Sequence, residues 1–187
     1  MLETAIREWS RPPTVPPLTV AVNLSPRALQ DPGLPRRIAD MLAVYNAPPE
    51  SLALEITENI LMSDPARSMD SLKRLHEMGV RIVIDDFGTG YSSLSYLRRL
   101  PVDELKIDRS FIAGLLTGKD DVIVRSTIDL AHNLGLTVVA EGVESDEVLA
   151  RLTALGCDAA QGTLIGAPAP AAAVREWMGG QNLLGLR

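Results

Sequence analysis

Val80-Arg81-Ile82-Val83-Ile84-Asp85-Asp86 is an unbroken apolar run that ends on two adjacent aspartates, and a glycine-rich segment, Phe87-Gly88-Thr89-Gly90, follows it. A run of this length and β-branched content reads as a strand buried on both faces, the signature of a parallel sheet covered by helices. Five further runs share the design. They are Leu18-Thr19-Val20-Ala21-Val22-Asn23, Leu52-Ala53-Leu54-Glu55, Glu104-Leu105-Lys106-Ile107-Asp108, Thr137-Val138-Val139-Ala140-Glu141 and Asp158-Ala159-Ala160-Gln161. Each is short and ends in a polar or ionisable residue. A barrel of parallel strands gathers the C-terminal ends of its strands on one face, where the chemistry sits. One rim would then collect an amide, several carboxylates, a lysine and a glutamine, the make-up of a metal-dependent hydrolytic site.

Between the strands lie segments of helical length. Residues 1–9 read as an amphipathic helix with Leu2, Ile6 and Trp9 on one side, and the proline-rich stretch 11–17 as a stiff connector. Ser25-Pro26 starts a turn. Helices are predicted over 34–45, from Ser63-Asp64-Pro65 to Met78, over 93–99, 121–133 and 146–155, and in a tail through Trp177. Gly79, Gly135 and Gly156 punctuate the helix ends. The alternation is β/α throughout, no internal repeat is evident, and no linker divides two domains. The fold class is therefore α/β over residues 1–187, either an open sheet or a TIM-like (β/α) barrel with a piece absent. A closed barrel needs eight strands and typically ~250 residues; six strands in 187 residues leave it incomplete.

Composition narrows the function. The formal charge of −6 argues against a nucleic-acid polymer or a membrane surface as partner. Cys157 is the single cysteine and so forms no internal disulfide. No apolar stretch approaches the ~20 residues of a membrane span. A cytoplasmic location is the expectation.

Several residues carry chemistry by type and position. Adjacent carboxylates such as Asp85 and Asp86 repel one another unless a cation compensates them, although a hydrogen-bonded turn acid reads the same way. Lys106 and Asp108 share a strand face, which allows an ion pair between them. Gly88 and Gly90 permit a sharp turn, and Ser92 and Ser93 can cap the helix after it. His76 and His132 lie on helical segments and read as surface or packing residues. Met62, Met69 and Met78 read as core, and Arg98-Arg99 as a solvated face.

Taken in order, Asn23-Leu24-Ser25, Glu55-Ile56-Thr57-Glu58, Asp85-Asp86-Phe87-Gly88-Thr89-Gly90-Tyr91-Ser92-Ser93-Leu94, Lys106-Ile107-Asp108, Ala140-Glu141-Gly142-Val143-Glu144 and Gln161-Gly162 resemble the EAL domain, the bacterial phosphodiesterase that linearises cyclic di-GMP. The resemblance runs from about Leu2 to Pro170. It starts late: the first two strands and the Glu-Ala-Leu signature of the family have no counterpart here. The resemblance implies a two-metal site for Mg²⁺ or Mn²⁺, with Asn23, Glu55 and Asp85 as direct ligands, Asp85 bridging, and Asp86 serving the second ion. It implies Glu141 as a water-mediated ligand and general base, Lys106 beside the nucleophilic water and phosphate, and Gln161 as an orienting group for water or substrate. Glu58 would steady the Gly88–Gly90 loop, which couples the metals to a homodimer in the family, with Asp108 and Glu144 in structural roles. The tail departs from the family at Thr163 and Ala167, where many members carry an aromatic residue and an arginine. The expected activity is metal-dependent hydrolysis of cyclic di-GMP to linear pGpG. The alternative is a catalytically impaired binder or regulatory module, and the open side of the barrel is an expected self-association surface.

Overall fold

The computed structural model describes residues 1–9, 18–58, 65–90 and 94–180. Its sheet has six strands: β1 (Val20–Asn23), β2 (Leu52–Thr57), β3 (Arg81–Phe87), β4 (Glu104–Ile107), β5 (Thr137–Glu141) and β6 (Ala159–Gln161). They lie in chain order, every neighbouring pair parallel. Parallel neighbours need crossover connections, and helices supply them. The helices are α1 (Leu2–Trp9), α2 (Pro26–Leu29), α3 (Leu34–Tyr45), α4 (Pro65–Glu77), α5 (Leu94–Leu97), α6 (Arg109–Ala113), α7 (Asp121–Asn133), α8 (Asp146–Ala154) and α9 (Ala171–Gly180). The result is a curled half-barrel, six strands of a TIM-like fold.

The predicted elements are found within a residue or two wherever they fall on described residues. The proline-rich connector, Met62, Ser63-Asp64 and Tyr91 to Ser93 lie outside them. Three short elements differ from expectation. The turn expected at Ser25-Pro26 winds into α2, because Ser25 Oγ accepts the Ala28 N–H at 3.2 Å and proline suits the first helical position. Asp108 does the same for α6 through the Ser110 N–H at 3.0 Å. A 3₁₀ turn over Pro49–Ser51 delivers the chain into β2.

The core follows the apolar runs. Leu54, Ile56, Ile82, Ile84, Leu105, Ile107 and Val138 from the sheet meet Ile38, Leu72, Leu75, Val124 and Ile128 from the helices, all buried. Met69 and Met78 pack against this core while Arg98 and Arg99 are exposed, as read from sequence. The helices that flank the edge strands meet one another. Arg175 on α9 stacks 5.1 Å above the Trp9 ring of α1 and donates to the Glu8 carbonyl.

Candidate metal centre

Lys106 is the hub of the C-terminal rim. Its ammonium lies 2.8 Å from Glu55 Oε1, 2.5 Å from Glu141 Oε1 and 3.5 Å from Asp85 Oδ1, and the side chain is 5% exposed. Burial works against its charge, but hydrogen bonds to Glu141 and Glu55 outweigh burial and hold the ammonium well above its ordinary value. The Lys106–Asp108 pair allowed by strand alternation is not the one formed. Asp108 instead turns to Ser110, and those bonds keep its carboxyl below the usual range although burial pushes the other way.

Two consecutive aspartates on one strand should point to opposite faces. Here the β3–β4 register shifts between Ile84 and Phe87, and Asp86 adopts a left-handed conformation at φ 53°. A bulge of this kind re-aims a side chain. Oxygens of Asp85, Asp86 and Glu141 consequently lie within 4.8 Å of one another. Burial, then the charge of Asp85, raises the Asp86 carboxyl above its ordinary value. Burial also raises Glu141; Lys106 pulls it down, and Asp85 and Glu55 push it up again. Three converging oxygen donors whose repulsion Lys106 offsets only in part suit a hard divalent cation, so the residues present fit the metal that the sequence implies.

The remaining predicted residues fall around this cluster. Asn23 is exposed, pairs in register with Glu55 and donates from Nδ2 to Glu55 Oε2 at 3.1 Å. Both Glu55 oxygens thus face protein N–H donors. Gln161 stands opposite Glu141 in the β5–β6 register, and its side chain opens on a cavity of about 410 Å³ shared with Ile165, Ala167 and Trp177. Glu58 is buried; Oε2 accepts the Gly88 N–H at 3.4 Å, while Oε1 has no partner among the described residues. Gly90 lies in the bend after Gly88, and Glu144 is exposed in the loop after β5, away from the carboxylate cluster.

One residue at this rim escaped the sequence reading. The Phe111 ring sits so close to Gly88 that a Cβ there would lie 2.9 Å from its Cε2. Gly88, at φ +96°, is the residue that turns the chain between this ring and Glu58. Only the short helix α6, which the sequence did not announce, brings Phe111 into place.

Known proteins resemble this chain over most of its length. The EAL domain family model matches residues 1–168. Over 153 residues the chain is 48% identical to MucR of Pseudomonas aeruginosa, a bifunctional diguanylate cyclase and cyclic di-GMP phosphodiesterase, covering 81% of this chain and 22% of MucR. Over 155 residues it is 42% identical to RocR of the same organism, a cyclic di-GMP phosphodiesterase, covering 82% of this chain and 40% of RocR. The chain thus spans less than half the length of either relative. The solved MucR phosphodiesterase in complex with cyclic di-GMP superposes with a TM-score of 0.88 at 43% identity, over 92% of this chain and 71% of that one.

Proposed function

This chain belongs to the EAL domain family, and we propose that it hydrolyses cyclic di-GMP to linear pGpG with two divalent cations, Mg²⁺ or Mn²⁺. The observation that carries the proposal is the convergence of Asp85, Asp86 and Glu141 on one point beside Lys106. MucR and RocR, both named for this phosphodiesterase activity, support the choice of substrate. Asp85, Asp86 and Glu141 would hold the cations, with Glu55 and the Asn23 amide next to them. When bound, such cations activate water and neutralise phosphoryl charge.

The protein's own groups divide the rest of the work. Water oxygen bonds to phosphorus as the P–O3′ bond breaks, one water proton passes to Glu141, and the leaving 3′ oxygen takes a proton from bulk solvent. Glu141, whose carboxylate burial makes more basic, accepts a proton of the attacking water. Lys106 stays charged against burial, orients Glu141 through Oε1 and offsets negative charge on the phosphoryl oxygens. Gln161 orients the substrate from the next strand. Glu58 and Gly88 hold the Asp86 turn, Asp108 caps α6, and Glu144 and Gly90 serve the loops around the rim.

The proposal treats residues 1–187 as one domain acting in the cytoplasm and as a homodimer. No helix among the described residues is long and apolar enough to cross a membrane. The test is hydrolysis of cyclic di-GMP by the purified chain with Mg²⁺ or Mn²⁺, beside Asp85→Ala. Turnover that disappears in the variant and in chelator is the expected result. A folded chain that binds cyclic di-GMP without turning it over would replace the enzyme with a binding module.

A further inference from the structure

The N-terminal ends of the strands carry one arrangement twice. His76, late in α4, places Nε2 3.2 Å from Asp103 Oδ1, and Asp103 Oδ2 accepts the Ile82 N–H at 2.8 Å. His132, late in α7, places Nε2 2.9 Å from Asp158 Oδ2, and that oxygen accepts the Val138 N–H at 2.7 Å. The sequence separations agree to one residue: 27 and 26 between histidine and aspartate, 21 and 20 between aspartate and amide.

The match extends along both strands. Leu75-His76-Glu77-Met78-Gly79-Val80-Arg81-Ile82-Val83-Ile84-Asp85 aligns without a gap on Ala131-His132-Asn133-Leu134-Gly135-Leu136-Thr137-Val138-Val139-Ala140-Glu141. The two glycines share a left-handed backbone, at φ 93° and 76°, and so do the residues after the two carboxylates, Asp86 at 53° and Gly142 at 72°. Val80 and Leu136 make the same backbone bond back to Leu75 and Ala131. An internal repeat that sequence inspection does not find is therefore present. In it Glu141 stands where Asp85 stands, and Gln161 where Lys106 stands, each three residues after the aspartate of its latch.

We propose that Asp103 and Asp158 are positioning residues: each is the latch of one copy of a helix–strand–helix–strand unit, fixing the height at which Lys106 meets Asp85 and Gln161 meets Glu141. The inference rests on the reading of those four side chains as one site. On its β3 side the ladder leaves this task open. Between β3 and β4 the register is regular at Val83 with Glu104 and Ile84 with Leu105, then shifts, so Lys106 lies past the last regular pair on that side, while β5 pairs it with Val139 on the other. Strand β6 has three residues and, among the described residues, pairs only with β5. A one-residue slip in either strand would turn the functional side chain to the opposite face. Asp103 and Asp158 resist that slip by gripping an amide of the neighbouring strand from below.

The test uses the whole chain, with the ¹⁵Nζ resonance of Lys106, the side-chain amide of Gln161 and Mn²⁺ affinity as readouts. Asp103→Ala should move the Lys106 resonance and weaken Mn²⁺ binding about tenfold, the scale of a lost supporting contact at a metal site. Asp103→Asn keeps an acceptor oxygen for the Ile82 N–H and should restore both. Asp158→Ala and Asp158→Asn should do the same at Gln161. A lowered Tm with unmoved resonances and unchanged affinity would make the latches merely structural and overturn the proposal. If Asp103→Ala does not fold, His76→Ala is read on the same resonance, and a silent Lys106 overturns it equally. If the parent chain takes no Mn²⁺, the functional reading fails, and the two resonances alone decide the latches.

Discussion

Replacing Lys106 by Met tests the electrostatics of the rim most directly. The variant keeps the bulk of the side chain and deletes the one ammonium that Glu55, Asp85 and Glu141 share. Removing one partner of a buried ion pair costs about 3–5 kcal/mol, because the other charges stay buried without compensation. For a chain of this size that is roughly a 6–20 °C fall in Tm. The sign of the pH dependence follows from the protons. Without Lys106, which pulls it down, Glu141 would titrate further above its unfolded value, near 4.3 for a glutamate, than burial already places it. The folded state then binds more protons, so stability falls as pH rises from that value upward. In the parent, Lys106 itself contributes throughout this range: its raised value makes the contribution complete below about 10.4 and lost only as pH rises above it. The deficit of Lys106→Met should therefore be larger at pH 7.5 than at pH 5, measured by thermal melts in EDTA. A deficit below about 1 kcal/mol at pH 7.5, or one equal at both pH values, would refute the reasoning.

Asp86→Gly should raise Tm by about 2–4 °C in metal-free buffer, since it relieves a left-handed aspartate and a half-buried charge worth about 1 kcal/mol together, while abolishing one cation in titration calorimetry; a destabilised variant would count against strain at this position. Gly88→Ala should cost about 2 kcal/mol in urea unfolding, because its Cβ meets the Phe111 ring at 2.9 Å and its φ is +96°. Shortening the ring in Gly88→Ala/Phe111→Leu should return part of that loss, and strict additivity would exclude the contact as its cause. Gly162→Ala should be more damaging than Gly88→Ala in the same assay, since a Cβ there would lie 2.1 Å from the Val143 carbonyl oxygen, and backbone yields less readily than a ring.

Strands were legible because each apolar run ends where the rim begins, and those of β2, β3 and β4 are buried on both faces, so Asp85, Lys106, Glu141 and Gln161 could be placed at strand ends from spacing alone. What escaped was anything set by a local departure from strand geometry. Alternation pairs Lys106 with Asp108, but the strand ends at Ile107 and Asp108 becomes a helix cap, which frees Lys106 for three carboxylates on three other strands. Alternation also separates Asp85 from Asp86, and only the bulge at Ile84 to Phe87 brings them together. Phe111 belongs to the rim through a five-residue helix that carries too little pattern to announce itself. The repeat stayed hidden because the packed positions kept only their character, Ile82 against Val138 and Ile84 against Ala140, while His76 and His132 are single residues in helices that otherwise differ, and Gly79 and Gly135 follow the ends of those helices.

The repeat also explains why one rim holds unlike groups. Both copies turn left-handed immediately after their carboxylate, a conformation that glycine adopts at no steric cost. The second copy has glycine there, and it can have little else, because a Cβ on Gly142 would lie 2.6 Å from the Cβ of Arg109. The first copy carries Asp86 at the corresponding turn and bears the strain. Three residues past each latch, one copy presents an ammonium and the other an amide. A fold unit used twice thus supplies paired acids and a cation from β3 and β4, and a single acid with a neutral hydrogen-bonding group from β5 and β6. The charged half faces Glu55 and Asn23 on one side, and the neutral half opens on the cavity beside Gln161. Under the proposed function both copies bring acids to the metal cluster, Asp85 and Asp86 from the first and Glu141 from the second, and the second adds the neutral Gln161 beside the cavity.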